Sequence, residues 1–136
     1  MPTYIHARIQ ALLAVLFESL RPAHALFVCA GLRCKLEPDV FRIPDICVIA
    51  GTQPKESVPD QPPLVAIEIL SPDDRHSHLM RKLEEYLAWG VPNIWVIDPA
   101  TRRFSTYTEI GLQNVSSFSL AGYPFELTPL DLFSRL

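Results

Sequence analysis

A single glutamate interrupts the apolar run LVAIEILS (residues 64 to 71), and this residue, Glu68, is the first candidate for chemistry. The run is nearly continuous and β-branched, the mark of a strand covered on both faces at the middle of a sheet. An unpaired carboxylate buried there costs several kcal/mol unless it meets a cation or takes up a proton. Two readings are open: a metal ligand or general base, or a glutamate that reaches the sheet's end or pairs with an arginine. Asp45, in IPDICVI (residues 43 to 49), stands at the mouth of another strand. Alone, an aspartate after proline reads as a turn residue. Its weight comes from Glu68, because two carboxylates from adjacent strands can share a hard divalent cation that asks for oxygen ligands. Lys82 is the third candidate. On a helix of about 3.6 residues per turn, Leu79, Leu83, Tyr86 and Gly90 make an inward stripe, and Lys82 falls on its flank. Its stem can lie along the core while the ammonium reaches the strand ends; taken singly it reads as a surface lysine paired with Glu85 or Tyr86.

Other reactive residues fall into weaker patterns. His76 and His78 are two apart and share no helical face, so they make a poor metal pair and read as exposed. His6 and Ser71 form no nucleophile and base that spacing alone can place together. No glycine loop for cradling phosphate appears. Cys29, Cys34 and Cys47 are odd in number, lack zinc spacing and lie in or near apolar runs, which reads as free buried thiols. Arg75, Arg81, Arg102 and Arg103 read as a solvated surface rather than a nucleic-acid patch.

The elements that must position these residues can be read from periodicity. The chain has 136 residues, 49% hydrophobic and 20% charged, which suits one core and one domain spanning 1–136. No stretch approaches the roughly 18 uninterrupted apolar residues of a membrane span, and the apolar start lacks the basic leader and cleavage site of a signal sequence. Ile5, Ile9, Leu12, Leu13, Leu16, Phe17 and Leu20 recur at helical spacing, predicting a helix from about His6 to Leu20. ALFVCAG and LRCKLEP predict two strands joined near Gly31, and FRIPDICVIAG predicts one strand entered through Pro44 and closed at Gly51. The polar, proline-rich stretch from Thr52 to Pro63 is a loop. After the Glu68 strand, Ser71 and Asp74 are candidate N-caps for a helix from about Asp73 to Trp89, stopped by Gly90 and Pro92. NIWVIDP then completes a βαβ crossover with two parallel strands. RRFSTYTE predicts an edge strand, NVSSFSL pairs back on it, and FELTPLDLF forms a short terminal helix or strand. The net charge of −3 gives no global attraction to phosphate, so any nucleic-acid binding must be local or carried by a metal ion.

Taken together, IPDICVI, LVAIEILSPDDR, RKLEEYLAWGVPNIWVIDP and RRFSTYT resemble the Uma-two family of restriction-endonuclease-like proteins, a branch of the PD-(D/E)xK nuclease superfamily. The likeness runs from about His6 to the C-terminus. It implies an α/β fold with a restriction-endonuclease-like mixed central sheet flanked by helices. It also implies that Asp45 and Glu68 are the acidic pair. The simplest superfamily pattern sets a lysine two residues after the glutamate; that position is Leu70, and Lys82 matches the lysine of the family's own pattern. Magnesium (or manganese) would be held by Asp45, Glu68 and the backbone carbonyl of Ile69, with Lys82 orienting or helping to deprotonate the attacking water. The implied substrate is a nucleic acid, DNA by preference, cut by a cytoplasmic homodimer. Family members carry a further N-terminal stretch before the first long helix, and this chain is expected to lack it.

Two rival readings stand beside the nuclease. One is a catalytically inactive module of the same fold that binds nucleic acid or protein. The other is a hydrolase of a small phosphorylated substrate using the same acidic pair.

Overall fold

The computed structural model describes residues 3–136. Helix α1 (Tyr4–Glu18) opens the chain, with the Thr3 hydroxyl accepting from the His6 N–H as its N-cap. Ile9, Leu13 and Phe17 recur along its buried face, as the spacing predicts, and His6 is the one polar residue of that face. The helix ends at Glu18, slightly before the expected Leu20, where turns through Pro22 take over.

Strands β1 (Leu26–Ala30), β2 (Cys34–Glu37), β3 (Val40–Arg42), β4 (Ile46–Ala50) and β5 (Val65–Ile69) follow. Helix α2 (His76–Trp89) then precedes β6 (Asn93–Asp98), β7 (Arg103–Thr108) and β8 (Gly111–Val115). The chain closes with β9 (Phe118–Ser119), β10 (Glu126–Leu127) and α3 (Pro129–Phe133). The main sheet has the order β1-β4-β5-β6-β7-β8, and β2/β3 and β9/β10 form two small hairpins. Only β5 and β6 run parallel; the other neighbours in the main sheet are antiparallel. The expected βαβ unit is present, and a mixed sheet with helices packed on it is the restriction-endonuclease-like architecture.

The two strands expected to be joined near Gly31 both form, in different sheets: Gly31 turns the chain out of the main sheet, and β2 pairs with β3. Three local expectations are corrected. The run FRIPDICVIAG is split at Ile43-Pro44-Asp45, since proline has no N–H to give a ladder and the chain must change sheets there. Helix α2 begins at His76 rather than Asp73, because the Asp74 carboxylate accepts the Ser71 N–H at 2.8 Å and closes a turn before the helix starts; Arg75 is the N-cap, without a side-chain cap bond. At the far end Gly90 adopts φ 106°, the left-handed conformation that glycine tolerates best, and donates to the Tyr86 and Leu87 carbonyls. β7 is not the edge: β8 lies outside it.

The sheet separates two apolar clusters. On one face α1 packs through Ile9, Leu13 and Phe17 onto Ile46, Val48, Val65, Ile67, Ile69, Trp95 and Ile97. There Trp95, Phe118 and Phe104 stack in series, with centroids 4.4 Å and 4.1 Å apart, and Phe17 stacks on Phe125 at 4.3 Å. On the other face α2 packs through Leu79, Leu83 and Tyr86 onto Ala66, Ile94, Val96 and Tyr107. Period-two alternation thus sends Ile67 and Ile69 to the α1 side, and Ala66 and Glu68 to the α2 side.

The β9 hairpin stays in place by burying Phe118 between two rings, so Phe118→Ala leaves a cavity and forfeits both stacks. A loss of about 3–5 kcal/mol of unfolding free energy is expected. Urea denaturation followed by tryptophan fluorescence measures it; a loss below about 1 kcal/mol would show that the hairpin closes over the gap.

Candidate active site

Glu68 lies on β5 at 4% exposure, and its burial has a specific compensation. Tyr86, fully buried on α2, donates its O–H to Oε2 at 2.9 Å, and the Lys82 ammonium stands 3.4 Å from Oε1. Residues 82 and 86 are one helical turn apart, so α2 presents both donors on one face to one carboxylate. Among the described residues no arginine pairs with Glu68, and the partner expected for a surface Lys82, Glu85, is taken by Arg42 of β3 in a two-pronged ion pair at 2.5 and 2.8 Å.

Asp45 sits in the break between β3 and β4. The antiparallel ladder of β4 and β5 pairs Ile46 with Ile67, Cys47 with Ala66 and Val48 with Val65. One step further along this register brings Asp45 opposite Glu68 on the same side of the sheet. The aspartate is gripped on all sides. Oδ2 accepts the Ile69 N–H at 2.7 Å, and Oδ1 lies 3.2 Å from Nε2 of His6. The main-chain carbonyl accepts from the Gln10 side-chain amide at 2.7 Å and from the Gly31 N–H at 3.2 Å. His6 and Gln10 are again one turn apart, this time on α1. α2 thus holds the Glu68 carboxylate with side chains at i and i+4, while α1 reaches the Asp45 carboxylate through His6 and the Asp45 main-chain carbonyl through Gln10.

The electrostatics follow from this crowding. Burial, and next to it the negative charge of Asp45, push the Glu68 carboxyl up from an ordinary 4.5 to about 7, against the opposing pull of Lys82 and Tyr86. The Tyr86 hydroxyl is driven far above the usual phenol range by burial and by the neighbouring Glu68, so it acts only as a hydrogen-bond donor. With both carboxyls ionised, one ammonium does not neutralise them, and the pocket then carries net negative charge.

That pocket, about 190 Å³, is lined by His6, Asp45, Glu68, Ile69, Ser71, Asp74 and Lys82. It lies where β4 begins and β5 ends. A larger hollow of about 520 Å³ lies at the opposite end of β5 under the proline-rich loop, between residues such as Thr52, Pro59, Leu64 and Pro92, and contains no buried ionisable side chain. Asp45, Glu68 and Lys82, widely separated in the chain, thus share one pocket wall, together with Ile69. His6 and Ser71, which spacing could not place together, line the same pocket. His76 and His78 are both exposed, and the three cysteines are free thiols, Cys34 and Cys47 buried and Cys29 partly so.

Sequence reasoning missed Tyr86 as a partner of Glu68, and it missed His6, Gln10 and Asp74 altogether as parts of the site. His6 carried a usable signal, being the one polar residue at the helical spacing of the buried face, and Tyr86 stands four residues after Lys82. Gln10 and Asp74 carried none, because their partners are set by the tertiary approach of α1 and by a local turn.

The donor chemistry fits a small hard cation. Among the described residues, no three His, Cys, Asp or Glu side chains form a group able to hold a metal ion, so a closed cage of side chains is ruled out. Two carboxylates facing each other, with a main-chain carbonyl and water, match magnesium, which keeps several waters and takes one or two carboxylates. The charge balance points the same way, since a divalent cation supplies the positive charge that Lys82 alone does not.

Comparison with known proteins gives the family and the fold. No curated protein matches the chain. Among solved structures, a crystal structure of "a putative nuclease belonging to DUF820" from Anabaena variabilis shares the fold, with a TM-score of 0.88 and 23% sequence identity. The match covers 98% of this chain and 83% of that one. The family model described as "Uma2: Putative restriction endonuclease" matches residues 1–128, nearly the whole length. The chain belongs to the Uma2 family.

Proposed function

We propose that the protein is a metal-dependent nuclease that hydrolyses phosphodiester bonds of DNA. The observation that carries this reading is the buried Glu68 carboxylate, facing Asp45 across two strands, with a lysine ammonium beside it in an open polar pocket. Magnesium or manganese would be held by Asp45, Glu68 and the carbonyl of Ile69. When bound, such an ion polarises a phosphate oxygen and lowers the pKa of the water it holds.

The chain's own residues do the rest. Asp45 and Glu68 hold their oxygens on one side of the sheet without rearrangement, because Ile69 N–H and Tyr86 O–H already fix them. Lys82 is half-exposed at the pocket wall, where its ammonium orients the attacking water and faces the charge that builds on the phosphate. Its three donors suit phosphate oxygens, and its long stem lets it follow them. Local positive charge from the ion and Lys82 draws the substrate, which a chain of net charge −3 does not attract by itself. Duplex cleavage takes two single-strand cuts, so the working unit is a homodimer, and three free thiols suit the reducing cytoplasm.

Glu68→Gln removes the charge while leaving an oxygen to accept from Tyr86, whereas Glu68→Ala would orphan that buried hydroxyl. The expected result is a folded Glu68→Gln protein with no magnesium-dependent nicking of supercoiled plasmid; full cleavage by this variant would sink the proposal. Lys82→Met, which keeps the stem and removes the ammonium, is expected to slow nicking about 10²–10⁴-fold, as for loss of a group that assists proton transfer. An unchanged rate would move Lys82 out of the chemistry.

The protonation of Glu68 gives a second test that needs no substrate. A carboxyl raised in the folded state binds more protons folded than unfolded between its two pKa values, so stability falls as pH rises through this window. With Glu68 moved from 4.5 to about 7, its ionisation costs the folded metal-free protein roughly 3 kcal/mol above pH 8 and nothing below about pH 4.5. In chelator, Glu68→Gln should therefore unfold at a higher temperature than the wild type at pH 8, with the gap closing towards pH 5. A gap independent of pH would mean that Glu68 ionises freely.

A further inference from the structure

Tyr86 bonds the Glu68 carboxylate and Gln10 the main-chain carbonyl of Asp45, and neither side chain is part of the wall of the acidic pocket. Tyr86 reaches Glu68 from inside the apolar layer between α2 and the sheet, where Leu79, Leu83, Ala66 and Val96 surround that face. Its O–H takes Oε2, while Oε1 lies 3.4 Å from the Lys82 ammonium on the pocket side. Gln10 works on the other side of the sheet. Its amide donates to the carbonyl of Asp45 at 2.7 Å, across 35 positions of sequence, and holds the main chain at the proline break between β3 and β4. The same carbonyl accepts the Gly31 N–H at 3.2 Å, so Gln10 adds a second hold on a residue that belongs to neither strand.

We infer that Tyr86 and Gln10 are positioning residues for the ion site: Tyr86 through the Glu68 carboxylate that it bonds, Gln10 through the main chain that carries the Asp45 carboxylate. The inference rests on the metal-dependent reading given above. A cation shared by two carboxylates requires their oxygens at a set separation, and here this separation is fixed from opposite faces of the sheet by α1 and α2. Each tether removes rotational or backbone freedom before the ion arrives, so less freedom is lost on binding. Outer partners of ligating carboxylates typically change metal affinity about 10- to 100-fold when removed.

A purely architectural role is the opposing reading for both residues. A buried tyrosine must satisfy its hydroxyl somewhere, and Gln10 could merely tie α1 to the sheet. The two readings differ in what an ion feels. If the residues are architectural, Tyr86→Phe and Gln10→Leu lower the unfolding temperature and leave cation affinity alone. If they position the carboxylates, both variants stay folded and bind the ion more weakly, and excess magnesium recovers the lost cleavage because the chemistry itself is intact.

The test uses Mn²⁺ alone as probe, with its affinity for the full chain measured by electron paramagnetic resonance of the free ion. Near-ultraviolet circular dichroism in chelator reports whether each variant is folded. The expected result is a folded Tyr86→Phe and a folded Gln10→Leu, each binding Mn²⁺ about tenfold more weakly or worse. Cleavage by both should approach the wild-type rate at saturating Mg²⁺. Unchanged Mn²⁺ affinity in either variant overturns its assignment, as does a weakened affinity that comes with loss of the near-ultraviolet signal. If Gln10→Leu does not fold, Gln10→Glu, of the same size and without the donor, takes its place under the same criteria. A wild-type protein that binds no Mn²⁺ overturns the metal-dependent reading itself, and this inference with it, which is distinct from a wild type that binds and variants that bind as well.

Discussion

The structure turns on a carboxylate buried in the central strand of the sheet. Glu68 occupies a position where every neighbour along β5 is apolar, and its charge is balanced by one ammonium at 3.4 Å and one hydroxyl at 2.9 Å. An ionised group in such surroundings destabilises the fold unless other groups compensate it, and here compensation is incomplete because Asp45 adds a second negative charge alongside. Much of the remaining architecture can be understood as the means of keeping these two oxygen pairs together. β4 and β5 set them opposite one another, Lys82 and Tyr86 descend from one helix, and His6 and Gln10 approach from the other.

The tolerance of so unfavourable an arrangement has a physical counterpart in the rest of the molecule. Stability comes from elsewhere: from the aromatic series Trp95, Phe118 and Phe104, and from aliphatic layers on both faces of the sheet. The aromatic series lies on β6, β7 and β9, and none of its rings lines the acidic pocket. Strain at a reactive centre, offset by well-packed surroundings, is the usual division of labour in proteins whose sites need groups of unfavourable ionisation.

How much of this could be read in the chain itself depended on the kind of signal involved. The long helices and the parallel pair β5/β6 were legible because apolar periodicity over many residues is hard to mistake. The partners of the N-terminal strands were not. ALFVCAG and LRCKLEP read as strands joined near Gly31 with their partners left open; the first belongs to the main sheet and the second to a separate ribbon, and only pairing with β4 and β3 decides this. The start of α2 was misplaced for a local reason, as the Asp74 side chain was spent on Ser71 rather than on capping a helix. At the site, Glu68 was conspicuous because a charge inside an apolar run is rare, and Asp45 became meaningful only beside it. His6, Gln10 and Tyr86 remained hidden as partners, since residue type and spacing do not reveal which side chain bonds to which across 18, 35 or 39 positions of chain.

The antiparallel register of β4 and β5 has one more implication, for which changes of length the chain can absorb. Adding one residue inside either strand would rotate everything beyond it to the opposite face of the sheet and carry one carboxylate away from the other. The connection between these strands, from Gly51 to Pro63, is largely exposed and leaves the sheet at the end remote from Asp45 and Glu68. Lengthening such a loop costs little closure entropy. Insertions and deletions in this segment can therefore accumulate, and the loop can be remodelled for new purposes, with no effect on the alignment of the acidic pair.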